Sequence, residues 1–292
     1  MGTIAILLVV FSAVMHAVRS FLTKRAHDKL AFIWWYEIFG ILFFSPVFAV
    51  AVFKEGIELS SSFLFIVASG FVHFLYWIFV AKSFEDGDLS HVYPIMRSSP
   101  ALVLLFSVLV LREDVSLAGV VGITVVALGV YSINMKTISL SEVLEPISAV
   151  RSERATQFAL LTLCCVTAYS IIDKTAVTRL HPIIFAFLYP CLSLGLLSGY
   201  VHRAKSKTTI VSEWMAHKYT IMLCGFLSVF GYFLILIAFT TERVSYVVGL
   251  RQLSVVFAVF LGGQVLKEEH QMIRLTAAAL IFAGALLISL AE

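Results

Sequence analysis

Apolar runs of about 20 residues recur along the chain, with only short polar breaks between them. A helix needs about 20 mainly apolar residues to cross the roughly 30 Å hydrocarbon core of a bilayer. The chain is 60% hydrophobic and 13% charged, whereas a soluble domain carries about 25% charged residues. The pattern therefore predicts an all-α polytopic membrane protein without a sizeable soluble domain. The ten predicted spans cover residues 4–23, 31–53, 62–83, 90–111, 116–134, 156–178, 182–201, 219–240, 244–265 and 271–290.

The second half of the sequence resembles the first. The clearest match is the charged motif VLRED at 110–114 against VLKEE at 265–269, an offset of 155 residues. The same offset also aligns small residues: Gly70 with Gly225, Ser90 with Ser245, Ser99 with Ser254, and Gly129 with Gly284. We therefore predict two five-helix units, at 1–138 and 156–292, with a linker at 139–155.

An odd number of spans in each unit places the two units in opposite orientations in the bilayer. The predicted fold is thus ten transmembrane helices arranged as two inverted five-helix repeats. In inverted-repeat transporters the binding site lies near the bilayer midplane, and one half rocks against the other. The alternative, that two hydrophobic halves match by composition alone, does not explain the matched charged motifs.

Several motifs resemble the EamA-type domains of the drug/metabolite transporter superfamily. They are AKSFEDGDLSHVYPIMRSSPALVLLFSVLVLRED at 81–114, HA at 16–17, SGFVHFLY at 69–76 and GDLSHVYP at 87–94, the last three similar to one bacterial branch. The resemblance covers both halves and implies a ten-helix carrier of small organic metabolites in a bacterial-type inner membrane. Residues 18–20 are VRS, where that branch often has aromatic and amide residues, so the substrate of a relative does not transfer.

Basic residues are distributed unevenly between the two sides of the predicted spans. Loops after the odd-numbered spans hold thirteen lysines and arginines, and the other side holds five. The positive-inside rule then places the odd-numbered loops in the cytoplasm and both termini outside. The family resemblance implies the opposite, with both termini inside, so both orientations remain open.

Three arginines, Arg19, Arg97 and Arg251, fall inside predicted spans. Charged residues in spans usually face the bundle interior or a wet cavity, because exposure to lipid is costly. The only acidic candidates to pair with them are Glu37 and, more weakly, Asp173. At least one guanidinium is then left without a protein carboxylate. An anionic substrate is its simplest partner, since the planar fork of N–H donors fits carboxylate and phosphate-like oxygens. The structural alternative is an Arg19–Glu37 pair, with the other arginines bonding exposed backbone carbonyls.

Polar and aromatic residues in the spans extend this candidate substrate site. His16 lies one helical turn before Arg19, so both side chains share a helix face. The other candidates are His73, Tyr76, Trp77, Tyr169, Tyr232 and Gln252. Glu37, His16 and His73 are candidates for carrying a coupling proton, because imidazole changes its charge near neutral pH. The histidines show no metal-ligand spacing, so neither a metal nor a cofactor is predicted.

Two prolines, Pro94 and Pro100, fall in the fourth predicted span. Proline removes a backbone donor and tends to kink a helix. The kink is a candidate hinge next to Arg97, and a static packing kink is the equal alternative.

The leading functional prediction is a secondary transporter, with export the commoner direction in the family that the motifs resemble. Its partners are the lipid bilayer and a small organic anion or zwitterion, such as an amino acid or organophosphonate. No phosphate-binding G-x-x-x-x-G-K-[ST] motif is present, which argues against ATP hydrolysis. The alternatives are a lipid scramblase or non-transporting membrane subunit, and an intramembrane enzyme that uses His16 and His73. The oligomeric state stays open, and a monomer is compatible with the predicted fold.

Overall fold

The computed structural model describes residues 1–56, 62–86, 95–132, 135, 153–257 and 271–291. Within these ranges the chain forms ten helices, two further short helical stretches at 95–97 and 253–257, and no strands. The helices are α1 (Thr3–Lys24), α2 (Lys29–Glu55), α3 (Phe63–Asp86), α4 (Ser99–Val110), α5 (Leu117–Ser132), α6 (Arg154–Val177), α7 (Pro182–Ala204), α8 (Lys207–Thr241), α9 (Val244–Arg251) and α10 (Gln271–Leu290).

Each predicted span overlaps one of these helices. Seven of the described helices, α1, α2, α3, α6, α7, α8 and α10, are long and apolar enough to cross a membrane. The other three predicted spans correspond to shorter apolar segments, at Ile95–Val110, Leu117–Ser132 and Val244–Phe257. The all-helical membrane architecture is confirmed, and the exact count of ten spans stays a prediction.

Local sequence explains where several helices begin and bend. The Asp28 side chain accepts a hydrogen bond from the backbone of Ala31 and caps α2, and Ser206 caps α8 through Thr209. Such side-chain caps satisfy backbone donors that the first helical turn leaves unpaired. Helix α8 begins well before its predicted span and contains a break at His217, where φ is −129° and ψ is 17°.

The helix contacts that the first half makes with the second have counterparts when each helix is replaced by its repeat equivalent. Helix α1 packs on α8 as α6 packs on α3, and α2 packs on α8 as α7 packs on α3. The corresponding pairs α2 with α7, α4 with α9 and α5 with α10 also pack against each other. This arrangement fits a two-repeat architecture. The opposite orientation of the repeats stays a prediction. So does the division into units at 1–138 and 156–292 with a linker at 139–155.

Glycines matched by the sequence repeat lie at equivalent helix crossings. A methyl group on Gly225 of α8 would lie 2.6 Å from the carbonyl oxygen of Tyr36 in α2. A methyl group on Gly70 of α3 would lie 2.9 Å from the carbonyl oxygen of Tyr189 in α7. Both distances are too short for a carbon atom, so each crossing requires a residue without a side chain.

The acidic turn after α4 links the two halves. The carboxylate of Glu113 accepts hydrogen bonds from the backbone of Val244 (2.6 Å) and Ser245 (3.3 Å), and from the Ser245 hydroxyl (2.8 Å). Glu113 therefore caps the N-terminus of α9, where the helix dipole favours a negative charge. The matching motif at 265–269 lies outside the described residues.

Candidate functional site

A polar cavity of about 50 Å³ lies where seven helices of both halves meet. Helices α1, α2, α3, α6, α7, α8 and α9 all contribute side chains to its wall. Its described lining consists of Ser12, His16, Arg19, Glu37, His73, Tyr76, Trp77, Tyr169, Tyr189, Pro190, Ser193, Leu227, Ser228, Val229, Gly231, Tyr232 and Arg251.

Most residues predicted for the substrate site meet at this cavity. Eight of the ten line it: His16, Arg19, His73, Tyr76, Trp77, Tyr169, Tyr232 and Arg251. Glu37, predicted as a coupling residue, lines it as well. Half-buried Arg97 and buried Gln252 are absent from the described lining. The substrate role of each residue stays a prediction.

The fourth predicted span is interrupted near the predicted hinge. Helical residues 95–97 are separated at Ser98 from α4, and Pro100 lies in the first turn of α4. Proline is accepted there because the first-turn amide lacks an intrahelical partner. Pro94 lies outside the described residues, and hinge motion stays a prediction.

One wall of the cavity holds a buried network around Arg19. The guanidinium donates to the Ser228 hydroxyl at 2.9 Å, and this hydroxyl donates to Glu37 at 3.1 Å. Arg19 also lies over the Trp77 ring, with its central guanidinium carbon 5.5 Å from the ring centroid. The predicted Arg19–Glu37 pair is therefore bridged by a serine from α8 and is not a direct contact.

The hydrogen bond between His16 and Arg19 determines which ring nitrogen of a neutral His16 carries the proton. An Arg19 nitrogen lies 2.8 Å from His16 Nδ1, and a guanidinium has donors only. Nδ1 must therefore accept, and the hydrogen of the neutral ring is on Nε2. That nitrogen is buried and has no hydrogen-bond partner among the described residues, so an N–H donor is left unused in the wall.

Arg251 enters the cavity from the end of α9 and covers an aromatic ring. Its central guanidinium carbon lies 5.2 Å from the centroid of the Tyr232 ring. The buried Nε of Arg251 has no hydrogen-bond partner in the described part of the chain. Within that part no carboxylate forms an ion pair with Arg251. Arg251, a residue of the cavity lining, thus has a second unused N–H donor.

A second buried network is centred on Asp173, which lies outside the described cavity lining. Its carboxylate accepts hydrogen bonds from the Ser69 hydroxyl and the Tyr232 hydroxyl, both at 2.6 Å. His73 Nε2 lies 3.9 Å from the same carboxylate, and His73 Nδ1 lies 2.9 Å from the backbone oxygen of Ser69. Because a carbonyl oxygen only accepts, Nδ1 carries a hydrogen, and Nε2 of a neutral His73 presents a bare lone pair to Asp173.

Aromatic rings enclose the imidazole of His73. Its ring centroid lies 4.2 Å from that of Tyr169 and 4.5 Å from that of Tyr189, and Tyr232 approaches edge-on at 5.8 Å. Such offset and edge-to-face contacts fix ring orientation. The geometry combines unused cationic and N–H donors with a buried imidazole–carboxylate pair, which suits an anionic group and an exchangeable proton.

Comparisons with known proteins place the chain in a family. A solved structure titled "Crystal structure of protein" has a TM-score of 0.72 and 16% sequence identity, over 98% of this chain and 97% of that chain. At that identity the likeness shows a shared fold alone. No curated protein sequence matches the chain. The model of the EamA-like transporter family, however, matches residues 3–135 and 154–290. This chain therefore belongs to the EamA-like transporter family, within the drug/metabolite transporter superfamily.

Proposed function

We propose that this multi-pass membrane transporter is a secondary carrier of a small anionic or zwitterionic organic metabolite, and that it acts as an exporter. An amino acid or an organophosphonate has the required chemistry. The carrier works by alternating access around the cavity between its halves, in a bacterial-type inner membrane. The family supports membrane transport of a small molecule, and the cavity chemistry supports the choice of an anionic group.

The observation that carries the proposal is the pair of unused donors, His16 Nε2 and Arg251 Nε. A buried donor without an acceptor is costly, and nearly all such groups in proteins are paired. A carboxylate or phosphonate supplies two or three acceptor oxygens, and arginine binds such planar or clustered oxygens through several N–H groups. We expect the oxygens of an anionic substrate to supply acceptors for these donors.

The two carboxylates near the cavity are already engaged. Glu37 accepts from Ser228, and Asp173 accepts from Ser69 and Tyr232. Neither carboxylate forms a described ion pair with an arginine. The positive charge of Arg251 therefore remains available to a ligand.

The size of the cavity supports alternating access. Ligand pockets usually enclose about 300–1,000 Å³, whereas a volume of about 50 Å³ holds only a few water molecules. To admit a metabolite, the helices around the cavity must separate. Rocking of one helix group against another provides that opening.

His73 and Asp173 are the proposed proton-coupling pair. A bare imidazole nitrogen and a carboxylate face each other across 3.9 Å, and a bound proton turns this repulsive arrangement into an attractive one. The predicted coupling residues Glu37 and His16 are joined to Arg19, directly or through Ser228. They are therefore assigned mainly to holding the guanidinium in place.

A transport assay tests the proposal. Purified protein in proteoliposomes is assayed by counterflow with a panel of amino acids, phosphonates, dicarboxylates and organic cations. We expect Arg251→Gln to lower kcat/KM at least about tenfold, because a hydrogen bond to a charged group contributes about 1.5–3 kcal/mol and 1.4 kcal/mol is a factor of ten.

Arg243→Gln is the matched control, since Arg243 precedes α9 and packs on Tyr246 away from the cavity. It should transport like the wild type. Unchanged flux in Arg251→Gln, or a panel in which only cations are transported, would contradict the proposal.

A further inference from the structure

Two histidines and a glutamate converge away from the central cavity. His27 lies in the connection between α1 and α2, and Glu213 and His217 lie one turn apart on α8. One potential ligand atom from each of the three side chains lies within 4.8 Å of the other two. The cluster joins the first half of the chain to the second.

The carboxylate of this cluster is held in place before any ion binds. Glu213 is only 2% exposed. One of its oxygens accepts from the backbone N–H of Asp28 at 2.9 Å, and the other lies 3.3 Å from the backbone nitrogen of His27. Each oxygen still has lone-pair capacity, because an ionised carboxylate offers about four acceptor positions.

The ring of His217 is fixed beside this carboxylate. Its backbone leaves helical geometry, and its ring packs against His27 at 4.8 Å and against the edge of Phe32 at 6.1 Å. Nε2 lies 3.6 Å from Glu213 Oε1, beyond hydrogen-bond distance. That nitrogen is buried and unpaired within the described residues, and such a group requires a partner.

We propose that His27, Glu213 and His217 form a binding site for a divalent transition metal ion, with zinc the best fit. Two imidazoles and one carboxylate are a donor set that zinc uses when a fourth position remains open to water. Zinc bonds of about 2.0–2.2 Å place tetrahedral donors about 3.4 Å apart. His217 Nε2 and Glu213 Oε1 are already 3.6 Å apart, and the exposed ring of His27 would turn inward to complete the donor set.

A bound ion would fasten the α1–α2 connection to α8 at one end of the bundle. His27 is exposed, so an ion has a path from solvent. His27 and Glu213 are 186 residues apart in sequence, which explains why no ligand spacing is visible in any one segment. The prediction that the chain lacks a metal site was drawn from such spacing alone.

Metal binding is measured on purified full-length protein that carries no polyhistidine tag and has been treated with a chelator. We expect one zinc ion per chain by calorimetry and elemental analysis, a tetrahedral cobalt spectrum on substitution, and a Tm that rises with zinc. His27→Ala and His217→Ala should each weaken zinc binding at least about tenfold, since even loss of a residue that supports a ligand costs 10–100-fold.

His202→Ala is the control, because His202 is also exposed and lies on α7 outside the cluster. It should bind zinc like the wild type. If removal of the packed His217 ring impairs folding, His27→Ala decides the question, since His27 is exposed and its replacement should perturb folding less. Zinc binding and a zinc-induced Tm shift that are unchanged in His27→Ala, or absent from the wild type, would overturn the proposal.

Discussion

Replacing Glu113 by alanine removes the cap that ties the first half of the chain to α9. The wild-type carboxylate accepts from two backbone N–H groups and from the Ser245 hydroxyl. Loss of a helix N-cap costs about 0.5–2 kcal/mol, and loss of the negative charge near the helix dipole costs about 0.3–1 kcal/mol. Because Glu113 is half-buried, we expect a total of about 2 kcal/mol.

Glu113→Gln separates the charge from the hydrogen bonds. The amide keeps one acceptor oxygen at nearly the same position but loses the charge and the second acceptor. We expect Glu113→Gln to lower the free energy of unfolding by about 1 kcal/mol, half as much as Glu113→Ala. For a chain larger than 150 residues, 1 kcal/mol corresponds to about 2–4 °C in Tm. Glu113→Ala should then unfold about 4–8 °C below the wild type.

Thermal unfolding in detergent, followed with a thiol-reactive dye, measures this difference. The dye reports unfolding because Cys165 is 7% exposed and Cys224 is fully buried in the folded chain. Asp114→Ala is the control, since Asp114 is the exposed neighbour in the same turn. A Tm for Glu113→Ala no lower than that of Asp114→Ala would refute the capping argument.

Two further predictions concern the coupling pair and a helix crossing. Asp173→Asn should retain substrate counterflow but lose substrate accumulation driven by a pH gradient, because the amide cannot take up a proton beside His73. Gradient-driven accumulation equal to that of the wild type would contradict the coupling role. Gly225→Ala should lower stability by about 1–3 kcal/mol, since its methyl group would lie 2.6 Å from the carbonyl oxygen of Tyr36. Its control Gly199→Ala has open space and should not lower Tm; equal Tm values for the two variants would show that the crossing tolerates a side chain.

The helices and much of the cavity wall were predictable from sequence because both depend on strong local signals. Apolar runs of membrane length mark helices whatever surrounds them. A charged residue inside such a run must face the protein interior, so Arg19 and Arg251 were identified without any knowledge of packing. The repeat then indicated that residues from both halves meet.

The partners of these charges were not predictable, because they depend on how distant helices pack. Ser228 and Ser69 are ordinary residues in apolar helices, and only the crossing of α8 and α3 with their neighbours places them against Glu37 and Asp173. Arg97 also lies inside a predicted span, yet it is absent from the described cavity lining. Its position in the sequence did not reveal this, because the lining depends on how the helices pack. Glu113 was visible as part of a repeated motif, but its contact with α9 needed the fold.

The contact pattern indicates which helices move together in the proposed cycle. Helices α1, α2 and α8 pack on one another, and α3, α6 and α7 form the corresponding group, so each group combines helices from both halves. The hydrogen bonds of Arg19 to His16 and Ser228, and of Ser228 to Glu37, all lie within the first group. The bond from Tyr232 of α8 to Asp173 of α6 instead joins the two groups across the cavity.

Rocking of one group against the other must break or move this Tyr232–Asp173 bond. A proton on Asp173 removes its negative charge, and a hydrogen bond to a neutral acceptor is roughly half as strong as one to an ionised acceptor. Protonation would therefore loosen one of the contacts that join the two groups, the Tyr232–Asp173 bond. In the proposed cycle the same carboxylate would bind the proton and control separation of the groups, which is the physical requirement for coupling proton movement to transport.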